Sequence, residues 1–255
     1  MSISERLHPA SSAPLPTSGK LEEARRQLIV ALDFPNSASA FALVDRLEGC
    51  CQWFKVGLEL FTAEGPAVVK PLVERGYSVF LDLKLHDIPN TVAGAVRSAA
   101  NLGVQMMTIH AAGGPAMLAA AQTALEGIEN PPQLLAVTVL TSMDAAQLHA
   151  IGSGHSPARQ VELLARMGID AGIHGFVCSP QEVASLRALT GPRGVLVTPG
   201  IRPADAAIAD QKRVATPAQA LRQGASFLVV GRPITQAPEP REAAAAILQE
   251  MATVL

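Results

Sequence analysis

Tyr77-Ser-Val-Phe-Leu-Asp-Leu-Lys-Leu-His-Asp-Ile-Pro-Asn-Thr91 opens as an apolar, β-prone run and closes in opposed charges. Side chains alternate between the two faces of a strand. Phe80, Asp82, Lys84 and His86 are therefore expected on one face, with Val79, Leu81, Leu83 and Leu85 on the other. Pro89 ends the extended stretch and leaves Asp87 at the start of a loop. A buried strand whose last residues carry Asp82 and Lys84 on one wall stops where water and a ligand arrive. Charges this close to an apolar run are costly to bury unless they pair.

Seven further short apolar runs repeat that design: Leu28–Phe34, Trp53–Leu58, Met106–His110, Leu134–Leu140, Gly175–Cys178, Val195–Pro199 and Phe227–Gly231. Ala- and Leu-rich stretches at helical spacing separate most of them, among them 37–47, 93–102, 116–125, 159–167, 180–189 and 241–251. Strands alternating with helices imply parallel pairing through right-handed crossovers. Eight such units predict an α/β fold of the (β/α)8, or TIM-barrel, type, as a single domain over residues 27–255. An open doubly wound sheet is the competing architecture. Its usual Gly-rich turn after the first strand is replaced here by Asp33-Phe-Pro-Asn36. Residues 1–26 are rich in Pro and Ser and lack the hydrophobic centre of a secretory leader, so a disordered or loosely docked tail is expected.

Composition narrows the function. A formal net charge of −2 and an aromatic content of 4% argue against a nucleic-acid surface, which needs basic patches and stacking platforms. No apolar run is long enough to span a membrane. Cys50, Cys51 and Cys178 form neither a CxxC nor a metal-type spacing, which fits a reduced, cytoplasmic protein.

In a barrel the polar strand ends converge on one rim, where barrel enzymes keep their active sites. Asp33, Lys55, Asp82, Lys84, His110, Thr141, Arg202 and Arg232 all sit at or just beyond such ends. Carboxylates interleaved with ammonium groups hold one another ionised without a metal. An ammonium proton fixed in that field is suited to meeting a developing carbanion or enolate. Pro199-Gly-Ile-Arg202 and Val230-Gly-Arg-Pro-Ile-Thr235 follow strands 7 and 8, where barrels often grip phosphate, and Arg232 offers a forked donor. The long polar stretch 203–215, with Gln211, has the length of a lid. His86 has no second base or nucleophile arranged around it and reads as a structural, hydrogen-bonding histidine, whereas His110 on the rim stays open.

With these residues in place the chain resembles the orotidine 5′-phosphate decarboxylases, which catalyse the last step of UMP synthesis. The resemblance spans about residues 28–250 and rests on Ala31-Leu-Asp33, Phe54-Lys-Val-Gly57, the ten residues Asp82–Thr91, Leu140-Thr-Ser142, Thr198-Pro-Gly-Ile-Arg-Pro203 and Val230-Gly-Arg232. It implies that Lys84 protonates carbon 6 of the pyrimidine, and that Lys55, Asp82 and Asp87 complete an alternating charge network. It further implies that Asp87 and Thr91 serve the site of a partner subunit in a homodimer with shared sites. Asp33 and Lys55 would bind the ribose, Thr141 the pyrimidine, and Gln211, Gly231 and Arg232 the phosphate, with Arg202 nearby. No cofactor or metal is implied. Two rivals remain: a Mg-dependent sugar-phosphate decarboxylase or epimerase on the same barrel, with Glu59 as the extra metal ligand, and a non-catalytic sensor of nucleotide phosphates.

Overall fold

A computed structural model describes residues 18–203 and 214–255. Eight parallel strands close on themselves in sequence order: β1 (Leu28–Ala31), β2 (Trp53–Gly57), β3 (Ser78–Leu85), β4 (Met106–His110), β5 (Gln133–Val137), β6 (Gly175–Val177), β7 (Val195–Thr198) and β8 (Phe227–Val230). The expected (β/α)8 barrel is therefore present, and β1 pairs with β8 to close it. Several strands end sooner than their apolar runs suggest. β1 stops at Ala31, although Leu32 N still donates to Lys55 O at 2.9 Å, so Asp33 stands just past the ladder.

Alternation divides the buried side chains between two cores. Ile29, Ala31, Phe80, Met106, Leu135, Val197 and Val229 fill the barrel interior. Val30, Val56, Val79, Leu81, Met107 and Ile109 point outward into the layer between sheet and helices. Trp53 and Phe227 meet edge to face, with ring centroids 5.2 Å apart, and pack against the interior cluster.

The helices are α1 (Ser18–Gln27), α2 (Ser37–Arg46), α3 (Leu58–Glu64), α4 (Val69–Glu74), α5 (Pro89–Ala100) and α6 (Gly114–Thr123) in the first half. The second half adds α7 (Ala145–Ala150), α8 (Pro157–Asp170), α9 (Val183–Thr190), α10 (Pro217–Arg222), α11 (Arg232–Thr235) and α12 (Pro240–Ala252). Their starts follow from local chemistry. Asn36 accepts from Ser39 N, Asp144 and Gln147 form a capping box, and so do Thr216 and Gln219. Pro157, Pro217 and Pro240 occupy first-turn positions, where a missing N–H costs nothing. α8 buries Val161, Leu164, Ala165 and Gly168, the i, i+3, i+4, i+7 stripe of a helix lying on a sheet.

The tail boundary at residue 26 needs correction, because residues 18–26 belong to α1. Leu21 and Ala24, three residues apart, turn one side of α1 to the core, and the helix lies beside α12. Residues 1–17 lie outside the described residues. At the opposite end of the barrel from the polar rim, Arg187 donates to the carbonyls of Gly191, Gly194 and Gly224 and to Ser226 Oγ, tying together the loops that lead into β7 and β8.

One irregularity interrupts the sheet. β3 and β4 pair as Phe80↔Met106 and Leu81↔Met107, then resume at Leu85↔Ile109. Asp82, Leu83 and Lys84 thus stand opposite Thr108 alone, an extended β-bulge in the strand that carries the charges. Lys84 adopts φ 50°, a left-handed conformation that costs an L-residue about 1–2 kcal/mol.

Candidate active site

The rim is built around a chain of alternating charges. Lys55 Nζ lies 2.9 Å from Asp33 Oδ1 and 3.5 Å from Asp82 Oδ2, and Lys84 Nζ lies 2.8 Å from Asp82 Oδ1. Lys55 and Asp82 are each only 8% exposed, so these contacts act with little solvent screening. Register puts them there. Lys55 pairs with Phe80 across β2 and β3 and with Ala31 of β1, and Asp82 follows Phe80 by two residues on the interior face.

Burial and charge oppose each other at this cluster, and charge wins. Burial pushes the Lys55 ammonium toward losing its proton, but Asp82 and Asp33 together hold its pKa above the usual lysine value. Burial likewise pushes the Asp82 carboxyl up, and Lys55, Lys84 and the Thr108 hydroxyl bring it below the usual carboxylate range. Both groups are held charged at neutral pH. Gly57 belongs to the same arrangement. A Cβ there would sit 2.7 Å from Lys55 Nζ and 2.9 Å from Asp33 Oδ1, so only glycine lets the pair close over the end of β2.

Two cavities open beside the cluster and share Lys55, Pro199 and Val229 as a common wall. The first, about 350 Å³, is lined by Asp33, Lys55, Arg202, Gly231, Arg232 and Thr235, among others. The second, about 200 Å³, sets Asp82, Lys84 and Thr141 against an apolar wall that includes Phe80, Val137, Val177 and Cys178. One holds guanidinium groups and backbone at the ends of β7 and β8. The other puts an ammonium group, fixed by a carboxylate, against hydrocarbon. A ligand with an anionic group at one end and a partly apolar body at the other suits the pair.

The family model described as "Orotidine 5'-phosphate decarboxylase / HUMPS family" matches residues 26–247. The chain belongs to this family. It is 53% identical over 224 residues to the orotidine 5′-phosphate decarboxylase of Opitutus terrae, covering 88% of this chain and 97% of that one. It is 52% identical over 230 residues to that of Nitrosococcus oceani, covering 90% and 99%. The crystal structure of orotidine 5′-phosphate decarboxylase from Lactobacillus acidophilus superposes with a TM-score of 0.77 at 40% identity, covering 88% of this chain and 98% of that one.

Of the positions marked by the resemblance to the decarboxylases, most meet at the rim. Asp33, Lys55, Arg202, Gly231 and Arg232 line the first cavity, and Lys55, Asp82, Lys84 and Thr141 the second. Arg202 is buried, with Nη1 donating to the carbonyl of Ile201 at 2.8 Å, while Arg232 is exposed at the start of α11. Asp87 and Thr91 are exposed and line neither cavity. Asp87 Oδ1 instead accepts from the following amide, Ile88 N, at 2.6 Å. Gln211 lies outside the described residues.

The rings of His86 and His110 lie against one another, with centroids 5.4 Å apart and planes tilted by 33°. Burial, then His86 and Lys84, lower the pKa of His110 against the pull of Asp82, so a neutral ring faces the cluster. Glu59, which a metal-dependent reading wants as a ligand, is exposed in the first turn of α3 and lines neither cavity. Among the described residues no group of three or more His, Cys, Asp or Glu is placed to hold a metal ion. Sequence reasoning missed Thr108, whose hydroxyl lies 3.1 Å from Asp82 Oδ1, because a threonine inside an apolar strand carries no signal of its own. Thr235, in the first cavity, could have been found from the Gly231–Thr235 stretch, which it ends.

Proposed function

We propose that this protein decarboxylates orotidine 5′-phosphate to UMP through Lys84, Asp82 and Lys55, with no metal or cofactor. The observation that carries the reading is the unbroken alternation Asp33–Lys55–Asp82–Lys84, ending in an ammonium group that opens onto the partly apolar second cavity. The phosphate lies against Arg232, Gly231 and Arg202, joined by Gln211. The ribose hydroxyls meet Asp33 and Lys55 at the shared wall, and the pyrimidine reaches Thr141. The bond from carbon 6 to the carboxylate breaks, its electron pair stays on carbon 6, and the Lys84 ammonium delivers the proton that fills it. Solvent then reprotonates Lys84.

Two physical effects favour this course. The fixed Lys84 charge acts most strongly on carbon 6 once negative charge gathers there, which lowers the transition state more than the ground state. The departing group changes from a carboxylate to neutral carbon dioxide, and an apolar wall accepts the second more readily than the first.

The protein acts as a homodimer in a reducing, cytoplasmic setting, with Asp87 and Thr91 completing the partner's site. This reading is supported by their exposure beside the apolar side chain of Ile88, itself 67% exposed. The three cysteines are buried thiols, as suits a reducing compartment. Among the described residues no helix is long and apolar enough to cross a membrane.

The test is the loss of absorbance when purified protein meets orotidine 5′-phosphate. Turnover undiminished by EDTA supports the metal-free route, and turnover abolished by EDTA and restored by Mg²⁺ returns the site to the metal-dependent rival. Mixing Asp87→Ala with Lys84→Ala protein, each nearly inactive, should restore part of the activity. No recovery despite proven subunit exchange rules out the shared site.

A further inference from the structure

Thr108 is 1% exposed and is the single β4 residue facing the three-residue bulge of β3. Met106 and Thr108 point to the barrel interior, while Met107 and Ile109 pack outward. A hydroxyl has one proton to give, and its two neighbours decide where it goes. The Lys84 amide can only donate, and the ionised Asp82 carboxylate can only accept. Thr108 Oγ1 therefore accepts from Lys84 N at 2.8 Å and donates to Asp82 Oδ1 at 3.1 Å. The same carboxylate oxygen receives Lys84 Nζ at 2.8 Å. These three contacts close a ring through both ends of Lys84, its backbone amide and its ammonium.

The bulge explains why such a ring is needed. Where the register jumps from Leu81↔Met107 to Leu85↔Ile109, the intervening residues leave the ladder, and Lys84 turns to φ 50°. A lysine does not hold that conformation by its own preference. Something must satisfy the displaced amide and keep the kink, and the Thr108 hydroxyl is what touches it. We propose that Thr108 is a positioning residue for the decarboxylation, its hydroxyl holding the Lys84 backbone and the Asp82 carboxylate in register so that the ammonium stays aimed into the second cavity. This inference rests on the activity proposed above. A valine of the same shape would fill the space but leave the Lys84 amide without this acceptor and the Asp82 carboxylate held by the two lysines alone.

The experiment compares wild type with Thr108→Val, Thr108→Ala and Thr108→Ser, measuring kcat and KM for orotidine 5′-phosphate and the affinity for UMP. Thr108→Val should lower kcat on the order of 100-fold, the scale of a misplacement of about 1 Å, while KM and UMP affinity stay within about threefold. Thr108→Ser, which keeps the hydroxyl, should recover most of the loss. Should the valine variant not fold, the alanine variant removes the same hydroxyl without added bulk and is read by the same criteria. A wild-type kcat in the hydroxyl-free variants overturns the proposal. So does equal impairment of the serine and valine variants, or a loss carried by KM and UMP affinity together. Wild type inert toward orotidine 5′-phosphate would fail at the prior step, refuting the activity itself.

Discussion

Lys55 and Arg232 line the same cavity on the same rim, yet they are held in opposite ways. Lys55 is 8% exposed, with carboxylate oxygens at 2.9 and 3.5 Å, and its charge is settled by the fold before any ligand arrives. Arg232 stands exposed at the first turn of α11, on the wall of the first cavity. The chemical end of the cleft is thus buried and preorganised, whereas the gripping end is open to solvent. Preorganised charge lowers a barrier because nothing has to turn at the moment of reaction, whereas a grip needs only to be strong once closed. Defects at the two ends should therefore appear in different kinetic constants.

The contrast is easiest to break at Lys84. Lys84→Ala should lose about four orders of magnitude or more in kcat, about 5.5 kcal/mol of transition-state stabilisation, with KM little changed. Single-turnover assays would reveal it, and near-normal turnover would end the assignment. Arg232→Ala should lose about 10- to 100-fold in kcat/KM, the worth of a charged hydrogen bond, chiefly through KM. A loss confined to kcat would erase the distinction between the two ends. Gly57→Ala should lower kcat/KM by about tenfold, because the added methyl pushes Lys55 Nζ and Asp33 apart, and overpacking should cost about 1–3 kcal/mol of stability. Steady-state kinetics beside urea unfolding would measure both.

The smallest effect is in pH. Asp82 has a lowered folded-state pKa, so its contribution to stability is complete above about pH 4, the unfolded value, and is lost as pH falls through the folded one. Lys55 has a raised pKa, so its contribution is complete below about pH 10 and is lost as pH rises through the folded value. Urea midpoints against pH should show Asp82→Asn losing less stability on acidification than wild type, with Arg232→Ala following wild type. Identical acid slopes for wild type and Asp82→Asn would remove the electrostatic account of the cluster.

Much of this was legible in the chain. All eight strands lie within or beside the apolar runs that predicted them, because each run is a short β-prone block bounded by breakers. The charged ends were legible for a related reason, since an ionic residue beside an apolar run stands out. The bulge was not. A period-two pattern places Asp82 and Lys84 on one wall, which is correct, but it cannot register that three residues of β3 face one of β4. That information belongs to the pairing of two distant strands, and with it went the role of Thr108. α1 was hidden for a different reason. Its ten residues are mostly polar, and only Leu21 and Ala24 mark the side that docks. Asp87 illustrates a further limit, because its neighbours in sequence are not the groups it was expected to serve.

The bulge also separates two demands that usually compete within a barrel strand. Leu81 and Leu85 keep β3 registered with β4, while Asp82, Leu83 and Lys84 loop out of that ladder between them. Asp82 keeps its pairing with Gly57 of β2, so β3 is released on its β4 side alone, and Lys84 is freed from the pairing that closes the cylinder. A strand built in this way can exchange its reactive groups over generations without renegotiating its place in the sheet, which makes the excursion a socket for new chemistry on an unchanged frame.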